Sequence, residues 1–349
     1  MERKLYSGLD IGKLIASVLV VLLHAVETSA WVPAGVKFIA TRFAVPFFFI
    51  TSGFFFYNGL KKASDHKRYF IAYEKNLIKI LIVWELIYLP FTIHTYLEKY
   101  AGVSTIRFIF LLLRRIIVIG AGPYWYLVSL IWAAAFLYIC FYHDNKKILI
   151  SGIIIGLGLE ISYSCFQGVL SPFRIFSLIF RVTYVIWSFE ANFLMFGIPF
   201  MGIGYLLAQK NVTIPIKVSI AVFLLTTVLR ILEYELPHIL PGAFWQENSI
   251  SLAFIVQAIA FFLWMKEWTP PIKGAASLTI RQLSSCIYYT HMIFLYEIID
   301  PLMDRYTSLP TYHGIMVFPK VIVTLLMCLL FFAVIKKINN KHLMILING

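Results

Sequence analysis

Apolar residues gather into runs of about 20, the length at which an α-helix crosses the hydrocarbon core of a bilayer. Such runs fall near 10–28, 38–57, 77–97, 123–142, 147–165, 190–209, 214–233, 249–266, 280–299 and 314–335. Backbone polar groups inside a bilayer must be satisfied within the segment, so the pattern predicts an all-α, polytopic integral membrane protein of about ten transmembrane helices. Two further stretches, 106–120 and 171–189, are apolar but broken by arginines, and read as re-entrant or interfacial segments. Depending on how these two behave, the span count runs from about nine to twelve. Composition marks no linker or low-complexity tract, so residues 1–349 are expected to form a single membrane domain. The inverted repeats of many secondary transporters are not visible either.

Polar residues between the runs set the orientation. With the N-terminus inside, the inner segments hold roughly sixteen Lys and Arg and the outer ones roughly eight, which predicts cytoplasmic termini. The 58–76 segment, with Lys61, Lys62, Lys67, Arg68 and Lys75, reads as an inner loop, and 234–248, with Glu235 and Glu247 and no basic residue, as an outer one. Most of the outer positive charge is Arg107, Arg114, Arg115, Arg174 and Arg181, all within the two arginine-broken stretches. Arg114 and Arg115 are expected to bind headgroups or to cap a re-entrant helix. The first run follows Arg3 and Lys4, as a signal peptide would, but it carries Asp10, Lys13, His24 and Glu27 and is long enough to span, so it is expected to be retained.

Composition agrees with the pattern. Of 349 residues, 60% are hydrophobic and only 13% charged, against roughly a quarter charged in a soluble domain. The formal net charge of +13 therefore reads as an orientation signal and contact with membrane lipids, not as a nucleic-acid surface. Cys140, Cys165, Cys286 and Cys328 form no C-x-x-C pair and lie in or beside apolar runs, so packing is expected, without disulfides or a metal site.

Ionisable groups inside a spanning helix are costly and point to function. Lys13 and His24 are eleven positions apart on the first run, about 20° apart in direction and roughly 16 Å apart along the axis. Asp10, Ser17 and Glu27 lie near the same stripe. One reading makes Asp10 and Lys13 an interfacial pair, with Lys13 snorkelling and His24 a satisfied interhelical donor. The other makes the stripe the wall of a cavity, with a cation at the inner mouth and an imidazole, a base near neutral pH, deep inside. Glu27 would then orient the ring or balance its charge. Arg42 opens the second run, where it either snorkels or faces His24 to stabilise developing negative charge. His291 lies mid-run, beyond the reach of snorkelling, and is expected to line the cavity.

The Lys13 and His24 spacing, followed by Arg42-Phe43-Ala44-Val45-Pro46-Phe47-Phe48-Phe49 and Ser52-Gly53, resembles the acyltransferase-3 family of integral membrane acyltransferases. Gly122-Pro123-Tyr124-Trp125-Tyr126-Leu127 is similar to the family's Trp-Tyr-Leu opening of a middle helix, and Ile287-Tyr288-Tyr289-Thr290-His291 to its late Tyr-to-His segment. The first-helix basic residue, usually arginine, is Lys13 here, and the family's paired arginines before the third helix become Asn76 and Lys79. These departures resemble a Gram-positive branch that includes the membrane half of vancomycin-resistance serine racemases, for which amino-acid uptake has been proposed. Without an appended hydrolase-like or racemase domain, the chain resembles the stand-alone form.

The resemblance implies acyl transfer from a cytoplasmic thioester, usually acetyl-CoA, to a hydroxyl acceptor such as an envelope saccharide or related small molecule, with no bound cofactor. His24 would be the general base or a transient acyl carrier. Lys13 would hold donor phosphates, with Lys79 as a second candidate, and Arg42 would polarise the thioester or anchor the acceptor. Ser52, Trp125, Tyr126, Glu27 and His291 would contribute to substrate binding, Trp125 and Tyr126 by stacking or as interfacial anchors. The alternative is a permease or flippase that moves an amino acid or lipid-linked sugar through the same polar cavity without chemistry.

Overall fold

The structure, a computed structural model, describes residues 6–25, 41–187, 192–239, 251–272, 274–306 and 317–348. Among them every regular element is a helix: α1 (Ser7–Ala25), α2 (Ala44–Lys62), α3 (His66–Lys99), α4 (Thr105–Arg114), α5 (Trp125–Tyr142), α6 (Lys146–Leu170), α7 (Arg174–Trp187), α8 (Ile198–Gln209), α9 (Ile216–Ile239), α10 (Leu252–Glu267), α11 (Gly274–Met292), α12 (Asp300–Tyr306) and α13 (Val317–Ile338). Three π-helical segments interrupt this order: Arg115–Ile119, Phe193–Gly197 and Ile293–Ile299.

The chain is a helical membrane protein. Among the described residues five segments are long and apolar enough to cross a bilayer: Ser7–Ala25, His66–Lys99, Gly122–Tyr142, Lys146–Leu170 and Val317–Ile338. The other expected spans fall short for identifiable reasons. Helix α8, with its 12 residues, reaches the short limit of about 17 for a crossing only together with the five-residue π-helical segment before it, and α10 has 16 residues. Helix α11 uses its buried face for Ser277, Gln282, Ser284, Thr290 and His291. The 58–76 segment is not a loop. Helix α2 runs on to Lys62, and α3 begins at His66, where the Asp65 carboxylate caps the first turn by accepting from the Arg68 N–H at 2.9 Å. Apolar content marks only the membrane-embedded part of a helix, and the charged turns beyond it carry no such signal.

Proximity divides the chain into two compact units, Met1–Phe48 with Thr213–Glu235 and Leu252–Gly349, and Phe49–Val212 with Leu236–Ser251. In the first, α1 is fixed at its N-terminal end by polar contacts. Arg281 of α11 engages Asp10 with both arms, Nε to Oδ1 and Nη2 to Oδ2 at 3.0 Å each, and the Ser277 hydroxyl donates to the same carboxylate. Ser7 donates to the Pro270 carbonyl at 3.2 Å. Asp10 is only 1% exposed, and a carboxylate so placed requires a partner of this kind. Lipid tails give apolar helices little reason to prefer one another, so small residues must allow close approach. Gly8 and Gly12 do this against α10: a Cβ on Gly8 would stand 2.2 Å from the carbonyl oxygens of Met265 and Trp268. Toward the other end of α1, Val21 and Ala25 join Ile287, Leu295, Val317, Val321 and Cys328 in a buried apolar cluster. All four cysteines are buried, the packing setting expected of them.

In the second unit α2 and α8 cross through reciprocal glycines. A Cβ on Gly53 would lie 1.9 Å from the Met201 carbonyl oxygen, and one on Gly204 1.9 Å from that of Ile50. The arginine-broken stretches form α4 and α7, of 10 and 14 residues, too short to span. Each shows an exposed apolar stripe at helical spacing, Ile106, Ile109, Phe110 and Leu113 on α4 and Ile175, Leu178, Val182 and Val185 on α7. This is the form of an interfacial helix. Arg114 donates to the carbonyls of Ile186 at 2.9 Å and Tyr184 at 3.4 Å, near the C-terminus of α7.

Two predictions follow from this packing. Gly53→Ala forces the α2 and α8 backbones apart and lowers stability by about 1–3 kcal/mol, the usual cost of overpacking. Gly158→Ala, where an added Cβ meets nothing within 4 Å, is neutral or stabilising by about 0.5–1 kcal/mol because a helix-interior glycine is removed. Thermal melting of the two variants in detergent should therefore move in opposite directions. Arg281→Ala strands the Asp10 carboxylate and costs about 3 kcal/mol, whereas adding Asp10→Asn to it recovers most of the loss. If the double variant melts no higher than Arg281→Ala alone, the carboxylate is not what the arginine holds.

Candidate functional site

Candidate residues fall into both units. Lys13, His24, Arg42 and His291 belong to the first, and Ser52, Lys79, Trp125 and Tyr126 to the second. Glu27 lies outside the described residues, as does the connection between the first two helices.

Asp10 and Lys13 share the inner part of α1, but Asp10 takes Arg281 as its ion-pair partner. Lys13, half-buried, lies in the fields of both Asp10 and Arg281. The group of three carries one net positive charge, so the cationic character expected at this end of α1 is present with a second basic residue added.

Near the other end of α1 the structure brings His24 and His291 together, with ring centroids 5.4 Å apart and planes tilted by 34°. The Tyr296 ring stands edge-on to His24 at 6.1 Å. Its hydroxyl lies 3.3 Å from His24 Nδ1 and 3.4 Å from the His24 carbonyl oxygen. Tyr296 owes its place to the π-helical segment Ile293–Ile299, which widens the turn directly after α11; such segments recur at functional sites. Tyr288, 6.2 Å from His291, and Phe48, 6.1 Å from Tyr288, extend the aromatic surround.

His291 is fully buried. Its Nδ1 lies 3.0 Å from the Ile287 carbonyl oxygen and 2.8 Å from that of Tyr288. Carbonyls only accept, so Nδ1 carries the proton and donates, and Nε2 holds a lone pair. Among the described residues that Nε2 has no hydrogen-bond partner. A buried acceptor left unsatisfied costs about 1–3 kcal/mol, and such groups need a reason. Arg42 is half-buried in the turn that leads into α2.

In the second unit, Ser52 and Tyr126 satisfy each other, Oγ to hydroxyl at 3.0 Å, and the Tyr126 ring packs 4.5 Å from that of Phe49. Trp125 lies against Phe49 and Phe196 at 6.1 and 5.9 Å and lines a small recess with Ile119, Val128, Ser129, Asn192 and Phe193. The entry to α5 is set by Gly120 and Gly122, both at positive φ, 90° and 51°. Between them the Ala121 N–H donates to the buried Glu85 carboxylate at 2.7 Å. Lys79 is exposed on α3.

Two residues central to this geometry, Arg281 and Tyr296, were not singled out from sequence. Arg281 had a signal, a cation at the start of an apolar run. Tyr296 had none, being one of 20 tyrosines whose relation to His24 exists only across helices.

Comparison with known proteins places this geometry in context. The profile of the acyltransferase-3 family, described as an acyltransferase domain, matches residues 6–337. A protein of Enterococcus faecalis named amino-acid racemase is 31% identical over 199 residues, covering 52% of this chain and 26% of that protein. The chain thus aligns with about a quarter of that relative's length. No solved structure matches. A match over nearly the whole chain, containing both the cationic end of α1 and the two histidines, shows that this protein belongs to the acyltransferase-3 family.

Proposed function

We propose that this enzyme is a multi-pass O-acyltransferase of the cell membrane, with both termini cytoplasmic, that moves an acetyl group from acetyl-CoA to a hydroxyl of an envelope saccharide or related small molecule. The observation that carries the reading is the polar content of α1: a cationic group with Lys13 near one end and His24, with His291 and Tyr296 around it, near the other. The Lys13 to His24 separation of roughly 16 Å along the helix axis is on the scale of an extended pantetheine arm. Lys13 then holds the phosphates of the donor at the cytoplasmic mouth while the thioester reaches the imidazole. A lysine serves as a point charge here, without the bidentate grip of an arginine. Arg42 polarises the thioester carbonyl or anchors the acceptor. Ser52, Lys79, Trp125 and Tyr126 retain the substrate-binding roles that their motifs suggest.

Transport of an amino acid or lipid-linked sugar through the same polar cavity is a second reading, favoured by the match to a protein named amino-acid racemase. It requires the His24 site but no thioester.

Detergent-purified protein given radiolabelled acetyl-CoA is expected to release CoA and to label a component of an added envelope extract. His24→Ala should reduce both by at least about a hundredfold, the scale of general-base or nucleophilic catalysis, with an unchanged melting temperature. Protein that remains folded, cleaves no thioester with or without extract, and supports counterflow of a labelled amino acid in liposomes would establish transport instead.

A further inference from the structure

Two imidazoles at one site exceed what a single displacement needs. If His24 alone took the acceptor's proton and returned it to the CoA thiolate, a second basic nitrogen would have no assignment. Yet the structure keeps one, buried without a hydrogen-bond partner among the described residues. The His291 ring is fully buried, and its Nδ1–H donates to two carbonyls of its own helix, Ile287 at 3.0 Å and Tyr288 at 2.8 Å. This does two things. It fixes the tautomer, so that the lone pair is on Nε2, and it turns Nε2 away from the α11 backbone. There Nε2 has no hydrogen-bond partner among the described residues, and the His24 ring is the neighbouring imidazole, 5.4 Å away between centroids.

His24 is oriented differently. The Tyr296 hydroxyl is 3.3 Å from Nδ1 and 3.4 Å from the His24 carbonyl oxygen. That hydroxyl donates to the carbonyl, so its oxygen is free to accept from Nδ1–H, the tautomer that leaves the lone pair on Nε2. The reactive edge of His24 is then the Nε2 edge. One imidazole is thus held by a side-chain hydroxyl and the other by main-chain carbonyls.

We propose that the two histidines divide the reaction, His24 carrying the acyl group on Nε2 and His291 Nε2 accepting the proton of the acceptor hydroxyl. The proposal rests on the acyl-transfer reading above and specifies its path. In the first step His24 Nε2 attacks the thioester carbonyl. A C–N bond forms, the C–S bond breaks, and CoA leaves as the thiolate, with Nδ1 protonated on the resulting acyl-imidazolium. In the second step the acceptor oxygen attacks the acyl carbon, its proton passes to His291 Nε2, and the C–N bond breaks. The ester departs and His24 returns neutral. His291 then gives up its proton to the thiolate or to water, so that charge and protons balance over the cycle. The empty acceptor on His291 is the place that the hydroxyl occupies. Tyr296 is a positioning residue that keeps the Nε2 edge of His24 toward the reaction.

The test separates the half-reactions. Wild type, His24→Ala and His291→Ala are purified in detergent with melting temperatures checked. Each is assayed for exchange of labelled CoA into acetyl-CoA without acceptor, and for transfer of labelled acetyl to envelope extract. Wild type is expected to do both, and His24→Ala neither. His291→Ala should keep exchange within about tenfold of wild type but lose transfer by at least about a hundredfold. Added imidazole, which fits the space the substitution opens, should restore part of the transfer, a response that a purely structural role would not give. Transfer by wild type without any exchange overturns the acyl-enzyme while leaving the acyltransferase reading intact. Equal loss of exchange and transfer in His291→Ala at an unchanged melting temperature, with no imidazole rescue, overturns the division of roles. Absence of both exchange and transfer in folded wild type defeats the underlying reading, and the proposal with it.

Discussion

A single carboxylate governs the first unit. Asp10 sits within an apolar helix at 1% exposure, where an unpaired charge would be prohibitive. Arg281 meets both of its oxygens and Ser277 adds a third donor. The geometry of that clamp also fixes how α1 and α11 are registered. From Asp10 to His24 α1 climbs about 21 Å, and from Arg281 to His291 α11 climbs about 15 Å. The difference, about 6 Å, is close to the length of an arginine side chain leaning toward the N-terminus of its helix, as helical side chains do. A slip of one turn between the helices would separate the histidines and empty the clamp together. The ion pair and the histidine pair are therefore two readings of one register.

Much of this was legible in the sequence, and what was not has physical causes. The period of α1 placed Lys13 and His24 on one face because both sit on the same helix, where spacing alone fixes direction. The motif positions of Tyr126 and Ser52 pointed to residues that do meet. The Arg281 partner of Asp10 was not legible because it lies 271 positions away, whereas Lys13, three residues along the same helix, is the neighbour that the sequence offers. Helix ends were misjudged where charge replaces hydropathy, as in the extension of α2 to Lys62 and the capped start of α3. The glycine contacts were hidden for a different reason. Gly8 and Gly12 have the small-residue spacing of close helix pairs, but what they admit, the Met265 and Trp268 carbonyls at Gly8 and the Met265 and Phe47 side chains at Gly12, is defined only by the folded chain.

Close approach and buried polarity are linked in this architecture. A bilayer supplies no hydrophobic drive between helices, so association depends on van der Waals contact and interhelical hydrogen bonds. The first unit uses both, glycines on the α10 side of α1 and the Asp10 clamp on the α11 side. Helix α11 illustrates the consequence: its buried face carries Ser277, Gln282, Ser284, Thr290 and His291 beside Cys286, Ile287 and Tyr289, poor material for an isolated span. It is held by partners on other elements: Asp10, the Asn348 side chain for Gln282 at 2.7 Å, and Cys328 Sγ for Thr290 at 3.2 Å. Low hydropathy in α11 is the expense of carrying functional groups, and it is the reason hydropathy alone undercounts the helices of this chain.

Burial also bears on the chemistry. An acyl-imidazole in water hydrolyses, so a histidine that carries an acyl group needs its deacylating base in place and bulk water kept away. His291 meets the first condition, standing beside half-buried His24 with its lone pair unengaged among the described residues, and it is itself inaccessible to solvent. An acceptor hydroxyl that enters this space supplies the missing hydrogen bond and is activated by making it. The cost of the unsatisfied nitrogen is then borne in the resting protein and relieved when the acceptor binds. That makes the energetic defect at His291 a device for favouring a hydroxyl over any group that cannot donate, and ties the selectivity of the site to the same register that Asp10 enforces.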